Sequence, residues 1–252
     1  FNTVTYTGNG GTQTITGVGF QPDFTWVKGR DHAYYHYLQD VVRGSQKIMY
    51  TNNTEAEVTI TAGISAWNAD GYVTGSQGAL NYNGRSFVAW NWKAGNSSGS
   101  SNTDGSITST VSANTTAGFS IVTYTGTGST TTVGHGLGVK PDLVIYKERN
   151  NANSWRVMTD VSGSLKRLYL NATDAEASII DSSTAPTSTV LNIGTGSEVN
   201  RSSGTFVAYC FASKKGFSKF GSYTGNGNAD GTFVYTGFKP SIIICKIYSA
   251  SS

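Results

Sequence analysis

Residues 4–28 read VTYTGNGGTQTITGVGFQPDFTWVK, and this stretch decides how the rest of the chain is interpreted. Two runs of β-branched and aromatic residues flank a loop with five glycines, and Pro22 stands just before the second run. Such a loop can cradle a ligand, or it can be the turn of a β-hairpin, because glycine supplies positive-φ turns and proline interrupts a strand ladder.

Repeats elsewhere in the chain favour the hairpin. The first half of the stretch recurs as FSIVTYTGTG at 119–128 and in related form as SKFGSYTGNG at 218–227, and each copy leads into a segment that ends in a lysine. Lys28 and Lys147 are 119 residues apart, and Lys147 and Lys246 are 99 apart. Because duplicated structural units leave this kind of self-similarity, we interpret the chain as a duplicated β domain followed by part of a third copy.

The copies divide the chain into four segments. We predict a β-sandwich repeat over residues 1–95, a Ser/Thr/Gly-rich linker over 96–117, a second β-sandwich repeat over 118–213 and the start of an incomplete third repeat over 214–252. The incomplete copy predicts that the natural chain is longer. Its strands, which end at Lys246, are expected either to add to the edge of the second sandwich or to begin a disordered remainder.

Period-two alternation of apolar residues predicts the individual strands. In the first copy they are expected over residues 2–7, 12–16, 24–28, 57–61, 72–76 and 86–92, with counterparts in the second copy. The stretch 32–50 alone could be a helix, but its counterpart alternates through a glycine-containing turn, so we predict a β-hairpin in both copies. The predicted fold class is all-β, with tandem β-sandwich domains of jelly-roll or lectin-like type and a truncated third repeat.

Composition limits the classes of partner. Charged residues make up 13% of the chain, about half of the roughly 25% that is typical, and the net charge is +3. These scattered charges provide no footprint for nucleic acid or an anionic membrane, and no stretch approaches the roughly 18 apolar residues of a membrane-spanning helix. Cys210 and Cys245 lie in apolar runs, which predicts two buried thiols rather than a disulfide.

No catalytic motif stands out. The histidines have no counterparts in the other copy and lack the spacing of zinc ligands or of a hydrolytic triad, so we expect no catalytic residue, metal or cofactor. Two carboxylate pairs match between the copies, and a glycosidase needs two acids that face its substrate; the pairs are Asp40 with Asp160 and Glu57 with Glu176. Lys28 and Lys147 match equally well, so we interpret all of these residues as scaffold.

Aromatic residues mark the candidate binding loop. β-Sandwich modules hold sugar rings by stacking them on tyrosine and tryptophan, and the second copy has the polar sequence NNANSW where the first is rich in tyrosine. Loops that diverge on a shared scaffold are where binding specificity is expected. The predicted binding residues are His32, Tyr34, Tyr35, His36 and Tyr37.

Several longer motifs carry a family resemblance. FVAWNWKAG, VGHGLGVKPD and GFSKFGSYTGNGNADGTFVYTGFKP, together with the linker sequence, resemble a repeated β-rich domain of tail-fibre and other virion-surface proteins of tailed bacteriophages, notably marine phages. The resemblance covers essentially the whole chain. It implies a structural or adhesive protein of the phage particle, part of a longer and often oligomeric fibre, and it supplies no catalytic residues.

The leading hypothesis is therefore a non-enzymatic protein of the virion surface, either a tail fibre or a decoration protein. Its expected partners are other virion proteins, further copies of itself, and a host-surface glycan or protein bound by the variable loops. One alternative is a polysaccharide-degrading depolymerase or glycosidase that uses the carboxylates. The other is a structural spacer that binds nothing.

Overall fold

A computed structural model describes residues 1–249 and contains nineteen β-strands and two four-residue helices. Residues 1–95 form unit 1, residues 96–213 form unit 2, and residues 214–249 are called the terminal segment. The all-β class predicted from the sequence is confirmed, and the sheets are antiparallel and packed in layers.

Unit 1 contains nine strands and one helix. They are β1 (Asn2–Thr7), β2 (Gln13–Ile15), β3 (Phe24–Gly29), β4 (Tyr37–Asp40), β5 (Lys47–Tyr50), β6 (Val58–Thr59), β7 (Ile64–Asn68), β8 (Gly71–Thr74), α1 (Gly78–Asn81) and β9 (Ser86–Trp92). A six-stranded sheet has the order β1-β9-β3-β4-β5-β6, and a three-stranded sheet has the order β2-β8-β7. The predicted hairpin is confirmed, since β4 pairs with β5.

Unit 2 contains ten strands and one helix. They are β10 (Ser100–Asn102), β11 (Ser109–Asn114), β12 (Phe119–Thr125), β13 (Thr131–Gly134), β14 (Leu143–Glu148), β15 (Arg156–Thr159), β16 (Lys166–Tyr169), β17 (Ala177–Ser178), β18 (Val190–Ile193), α2 (Ser197–Asn200) and β19 (Thr205–Phe211). An eight-stranded sheet has the order β10-β11-β12-β19-β14-β15-β16-β17, and β13 pairs with β18.

The elements of the two units correspond closely. β3, β4, β5, β6, β9 and α1 each begin 119 residues before β14, β15, β16, β17, β19 and α2. The strand orders in the two large sheets also match over six strands. A position in unit 1 can therefore be compared with the position 119 residues later in unit 2.

Three apolar clusters hold the layers together. In each unit, one face of the large sheet packs against the small sheet and the short helix, for example through Phe87 and Leu80 in unit 1 and through Phe206 and Val199 in unit 2. The third cluster lies between the two large sheets, where Phe24, Leu38 and Met49 of unit 1 meet a set of buried residues of unit 2. That set includes Phe119, Ile121, Trp155, Val207 and Tyr209. Each large sheet thus packs on one face within its own unit and, over part of the other face, against the other unit, so the units share a core.

The segment 96–117 differs from the linker predicted there. Its residues form β10 and β11, which extend the large sheet of unit 2, since β11 pairs with β12 and β10 pairs with β11. Val111 is 7% exposed and packs in the core of unit 2. A Ser/Thr-rich segment has little hydrophobic drive of its own, so the exposed edge of β12 accounts for its strand structure.

The terminal segment corrects two expectations. Residues 219–249 contain no strand, so the first of the two alternatives for this copy, in which it adds strands to the edge of the second sheet, is wrong. Cys245 is exposed rather than buried because no neighbouring strand covers it, whereas Cys210 is buried as predicted, and both thiols are free. The segment contacts unit 2 through a few hydrogen bonds, among them one from the Ser222 hydroxyl to the carbonyl of Val161.

Candidate functional site

The predicted binding loop leaves the sheet at the end of β3. The ring of His32 folds back over Gly29, where a side chain would overlap it, and lies 5.2 Å from the ring of Phe87. Asp31 accepts hydrogen bonds from His32 Nδ1 at 2.7 Å and from the backbone N–H of Ser86 at 3.1 Å. These contacts fix the first half of the loop against β9.

Three exposed tyrosines lie at this end of unit 1. Tyr34, Tyr35 and Tyr82 are 41%, 47% and 48% exposed. A Cβ atom at Gly78 would lie 3.5 Å from Cδ2 of Tyr82 and 3.8 Å from the hydroxyl oxygen of Tyr34, so both rings border this glycine of α1. Tyr35 lies with its ring 5.1 Å from that of Tyr50. We call Tyr34, Tyr35 and Tyr82 the tyrosine site.

Three of the predicted binding residues do not belong to the tyrosine site, namely His32, which supports the loop as described above, and Tyr37 and His36. Tyr37 is 7% exposed and packs in the core of unit 1, with its ring 4.9 Å from that of Tyr50. Burial raises the pKa of the Tyr37 hydroxyl, and the neighbouring Tyr50 adds to the effect. His36 is half-buried, and its pKa is lowered by burial and by the charge of Lys28. The rings of Tyr35 and Tyr37 both pack against Tyr50, but Tyr37 begins β4 and is buried there, whereas Tyr35 lies before the strand and stays exposed.

Tyr82 is not among the binding residues that the sequence predicts. It follows α1 in the short stretch NYNGR, 48 positions after Tyr34, and the four-residue helix has no recognisable periodicity. The Asn-Gly turn after Tyr82 is the one local signal that this tyrosine stands at an exposed tip.

The corresponding place in unit 2 is closed by polar residues. Glu148 stands where unit 1 has Gly29, and its buried carboxylate accepts hydrogen bonds from Arg201 Nε at 2.9 Å and from Asn151 Nδ2 at 2.6 Å. Asn153 also donates to Glu148. Arg201 and Asn153 occupy the positions of Tyr82 and Tyr34. The same scaffold therefore carries an exposed aromatic surface in unit 1 and a hydrogen-bonded charged cluster around Glu148 in unit 2.

The matched carboxylates of unit 1 lie in a buried network between the units. Arg43 donates from Nε to Asp40 at 2.5 Å and from Nη1 to Glu57 at 2.9 Å. Arg149 binds Glu57 through two nitrogens, at 2.9 and 3.0 Å, and the hydroxyl of Tyr209 donates to Asp40 at 2.6 Å. Burial favours a raised pKa for Glu57, but hydrogen bonds and charges from Arg149 and Arg43 hold it below its ordinary value.

The counterparts in unit 2 form no such network. Asp160 pairs with the exposed Lys140, and Glu176 contributes its backbone N–H to the carbonyl of Tyr248. Lys147 is fully buried, and its Nζ donates to the carbonyl oxygens of Thr54, Glu148 and Asn151. Burial lowers the pKa of Lys147 to about 8 despite the nearby charge of Glu148.

A family model described as a domain of unknown function (DUF7483) matches residues 1–252. The chain belongs to this family. No curated protein and no solved structure gave a significant match.

The remaining candidate chemistry in this family member is limited. Within residues 1–249, no three His, Cys, Asp or Glu side chains come together in a way that could hold a metal ion. No helix in the same range is both long and apolar enough to cross a membrane. The loop GHGLG, in which His135 is buried, leads into β14 rather than into a helix, so it lacks the context of a phosphate-binding loop.

Proposed function

We propose that the protein is a non-enzymatic structural and adhesive protein of a tailed-phage particle, in a tail fibre or as a surface decoration, and that its tyrosine site binds a host-surface glycan. The observation that carries this proposal is the exposure of Tyr34, Tyr35 and Tyr82 together at one end of a well-packed unit. The phage context rests on the family resemblance of the sequence motifs.

The chemistry of the site suits a sugar. An apolar C–H face of a pyranose stacks on a tyrosine ring, while the phenolic hydroxyl and nearby polar groups bond to sugar hydroxyls. Asp31 and Asn52 border the loop, and Asn52 anchors it by accepting the backbone N–H of His36 at 2.8 Å. Because the contacts of His32 and Asn52 already order the loop, less entropy is lost when a ligand binds.

The depolymerase alternative has less support. Hydrolysis of a glycosidic bond needs two carboxyl groups that reach the substrate. Asp40 is fully buried and the side chain of Glu57 is 10% exposed, and both are engaged by arginines at the junction between the units. These two carboxylates cannot flank a sugar without separating unit 1 from unit 2.

The tyrosine site can be tested by binding to host-surface polysaccharides and a glycan array. The double change of Tyr34→Ala and Tyr82→Ala should weaken binding at least about tenfold, the loss of about 1.4 kcal/mol. Tyr223→Ala removes a tyrosine that is 52% exposed in the terminal segment and should leave binding unchanged.

Each other outcome points to a different function. Binding that survives the double change but is lost in Tyr223→Ala would move the site to the terminal segment. A wild-type chain that binds no glycan would support the structural spacer. Release of reducing ends from the polysaccharide, abolished by Glu57→Gln, would support the depolymerase.

A further inference from the structure

Besides their shared core, unit 1 and unit 2 meet through two specific hydrogen bonds to backbone carbonyl groups. The backbone N–H of Glu57 donates to the carbonyl of Arg149 at 2.7 Å. Lys147 Nζ reaches the carbonyl of Thr54 at 3.3 Å. Thus the loop before β6 in unit 1 contacts the end of β14 in unit 2.

The same contacts recur between unit 2 and the terminal segment. The backbone N–H of Glu176 donates to the carbonyl of Tyr248 at 2.7 Å, and Lys246 Nζ donates to the carbonyl of Ala172 at 2.6 Å. Glu176 is the counterpart of Glu57, 119 residues later, and Lys246 corresponds to Lys147 in the repeated sequence. The terminal segment therefore lies where the leading strand of a next unit would lie.

These contacts are directional. Each unit uses one surface toward the unit before it and a different surface toward the unit after it, and a heterologous contact of this kind propagates into a row unless rotation closes a ring. The leading surface of unit 1 consists of Trp26, Arg30, Val88 and Trp90. The trailing surface of unit 2 consists of Val157, Leu168, Glu176 and the loop 171–175.

The leading surface of unit 1 differs from its counterpart in unit 2 by being uncovered. Val207 and Tyr209 of unit 2 are 0% and 1% exposed under unit 1, whereas Val88 and Trp90 at the same positions are only half-buried. Arg149 pairs with Glu57, whereas Arg30 at the same position is exposed and has no acidic partner among the described residues.

Trp26 lies where the leading surface adjoins the core shared by the two units, because its side chain also packs against the third apolar cluster. Its ring packs edge-on against Trp90 at 5.5 Å. Its indole Nε1 is buried without a hydrogen-bond acceptor in the described part of the chain. Aromatic rings and an arginine at the centre of an uncovered surface are typical of protein interfaces.

We propose that the leading surface of unit 1 docks on the trailing surface of unit 2 in a second copy of this chain, so that copies join head to tail. Glu176 of the second copy pairs with Arg30 as Glu57 pairs with Arg149. Val157 and Leu168 of that copy cover Val88 and Trp90 as Leu38 and Met49 cover Val207 and Tyr209.

Docking displaces the terminal segment of the second copy from its trailing surface. The segment is held by few hydrogen bonds, and it leaves Phe233, Ile243 and Ile247 at 85%, 72% and 77% exposure. The junction between units instead buries a continuous apolar cluster and the arginine–carboxylate network. Val157 and Leu168 are already buried, at 6% and 9% exposure, so the apolar area that docking newly buries lies at Val88 and Trp90 of the leading surface.

The leading surface is separate from the tyrosine site. Trp26, Val88 and Trp90 alternate along their strands with Val27, Phe87 and Ala89, which face the short helix α1. Tyr34 and Tyr82 border α1, so the two surfaces lie on opposite sides of the sheet. Docking and glycan binding can therefore be tested independently.

A charge-swap experiment on the full chain tests the docking. By sedimentation velocity over a range of concentrations, the wild-type chain should self-associate, and Arg30→Glu alone and Glu176→Arg alone should each weaken association at least about tenfold. An equimolar mixture of the two variants should associate again, because each junction then joins opposite charges. Lys215→Glu, the same charge reversal at an exposed turn outside both surfaces, should associate like the wild type.

Several outcomes of this experiment would contradict the proposal. A wild-type chain that stays monomeric at every concentration overturns the proposal. So does a mixture of the two variants that associates no better than either alone. Association that Lys215→Glu weakens as much as Arg30→Glu shows a non-specific charge effect instead. Arg30→Glu should keep its glycan binding, and the Tyr34→Ala/Tyr82→Ala chain should keep its self-association, so either proposal can fail without the other.

Discussion

Arg43 holds together the charges at the junction between the units. Its side chain is completely buried and contacts Asp40, Glu57 and the carbonyl oxygens of Leu38 and Lys47. A buried ion pair gains little over an apolar pair of the same shape, but removal of one partner leaves the other charge without compensation. Unit 2 has Ser162 at this position, which agrees with the absence of a matching network there within residues 1–249.

Arg43→Ala should lower the free energy of unfolding by about 3–5 kcal/mol, because Asp40 and Glu57 stay buried without their cation. Arg85→Ala removes an exposed arginine of the same unit and should change it by less than about 0.5 kcal/mol. Urea unfolding followed by tryptophan fluorescence measures both. Equal effects of the two changes would contradict a structural role for the network.

Lys147 should make the free energy of unfolding depend on pH in the alkaline range. Its pKa is about 8 in the folded chain, below the ordinary 10.5, so between these values the unfolded chain holds a proton that the folded chain has released. Stability then rises with pH across this window, because deprotonation relieves the cost of the buried charge. Between pH 8 and pH 9.5 the gain should be about 1–2 kcal/mol. Lys147→Met should show no such rise in urea unfolding at the same pH values.

At the scale of elements, the sequence predicts a strand best where the residues of that strand show a clear apolar pattern. β1 and β9 coincide with the predicted 2–7 and 86–92, because threonine alternates with Val4 and Tyr6 in β1 and β9 is a run rich in apolar and aromatic residues. β7 was missed, since its pairing with β8 includes a bulge that breaks the alternation. β10 and β11 were missed because Ser and Thr carry no strong pattern, and the edge of β12 supplies their structure.

The residues of the tyrosine site likewise differ in how well the sequence predicts them. Tyr34 and Tyr35 were predictable from one aromatic loop, because local composition marks it. Tyr82 comes from a distant turn and joins them only through the packing of α1 on the sheet. Tyr37 lies in the same aromatic run but points into the core, a distinction that depends on where β4 begins.

Gly71, the first residue of β8, is an element-scale test of the small sheet. A Cβ there would overlap the carbonyl oxygen of Ile15 on β2, and the φ of 153° also disfavours a side chain. Gly71→Ala should therefore destabilise unit 1 by about 2–4 kcal/mol. Gly17→Ala places a methyl group in open space at a φ of 86° and should cost only about 1 kcal/mol. Thermal unfolding that shifts equally in both variants would show that the close approach to β2 does not matter.

At the scale of the whole molecule, the shared core should make the two units unfold together. Trp155 of unit 2 is fully buried in that core, and its Nε1 donates to the carbonyl of Tyr50 in unit 1 at 2.8 Å. Calorimetry should show one transition with matching calorimetric and van't Hoff enthalpies. Trp155→Ala should cost about 3–5 kcal/mol and resolve the transition into two. Two transitions in the wild-type chain would mean that the shared cluster does not couple the units.

β1 pairs with β9 in unit 1 and β12 pairs with β19 in unit 2, and these pairs also determine the response to mechanical load. Asn2 on β1 lies opposite Asn91 on β9, and Phe119 on β12 lies opposite Phe211 on β19, so in each pair the start of one strand and the end of the other lie side by side. Tension between those ends peels the strands apart one hydrogen-bonded pair at a time, rather than shearing the whole ladder at once. A chain stretched between these ends would thus open at modest force, and the face-to-face packing of the sheets would have to resist the rest of the load.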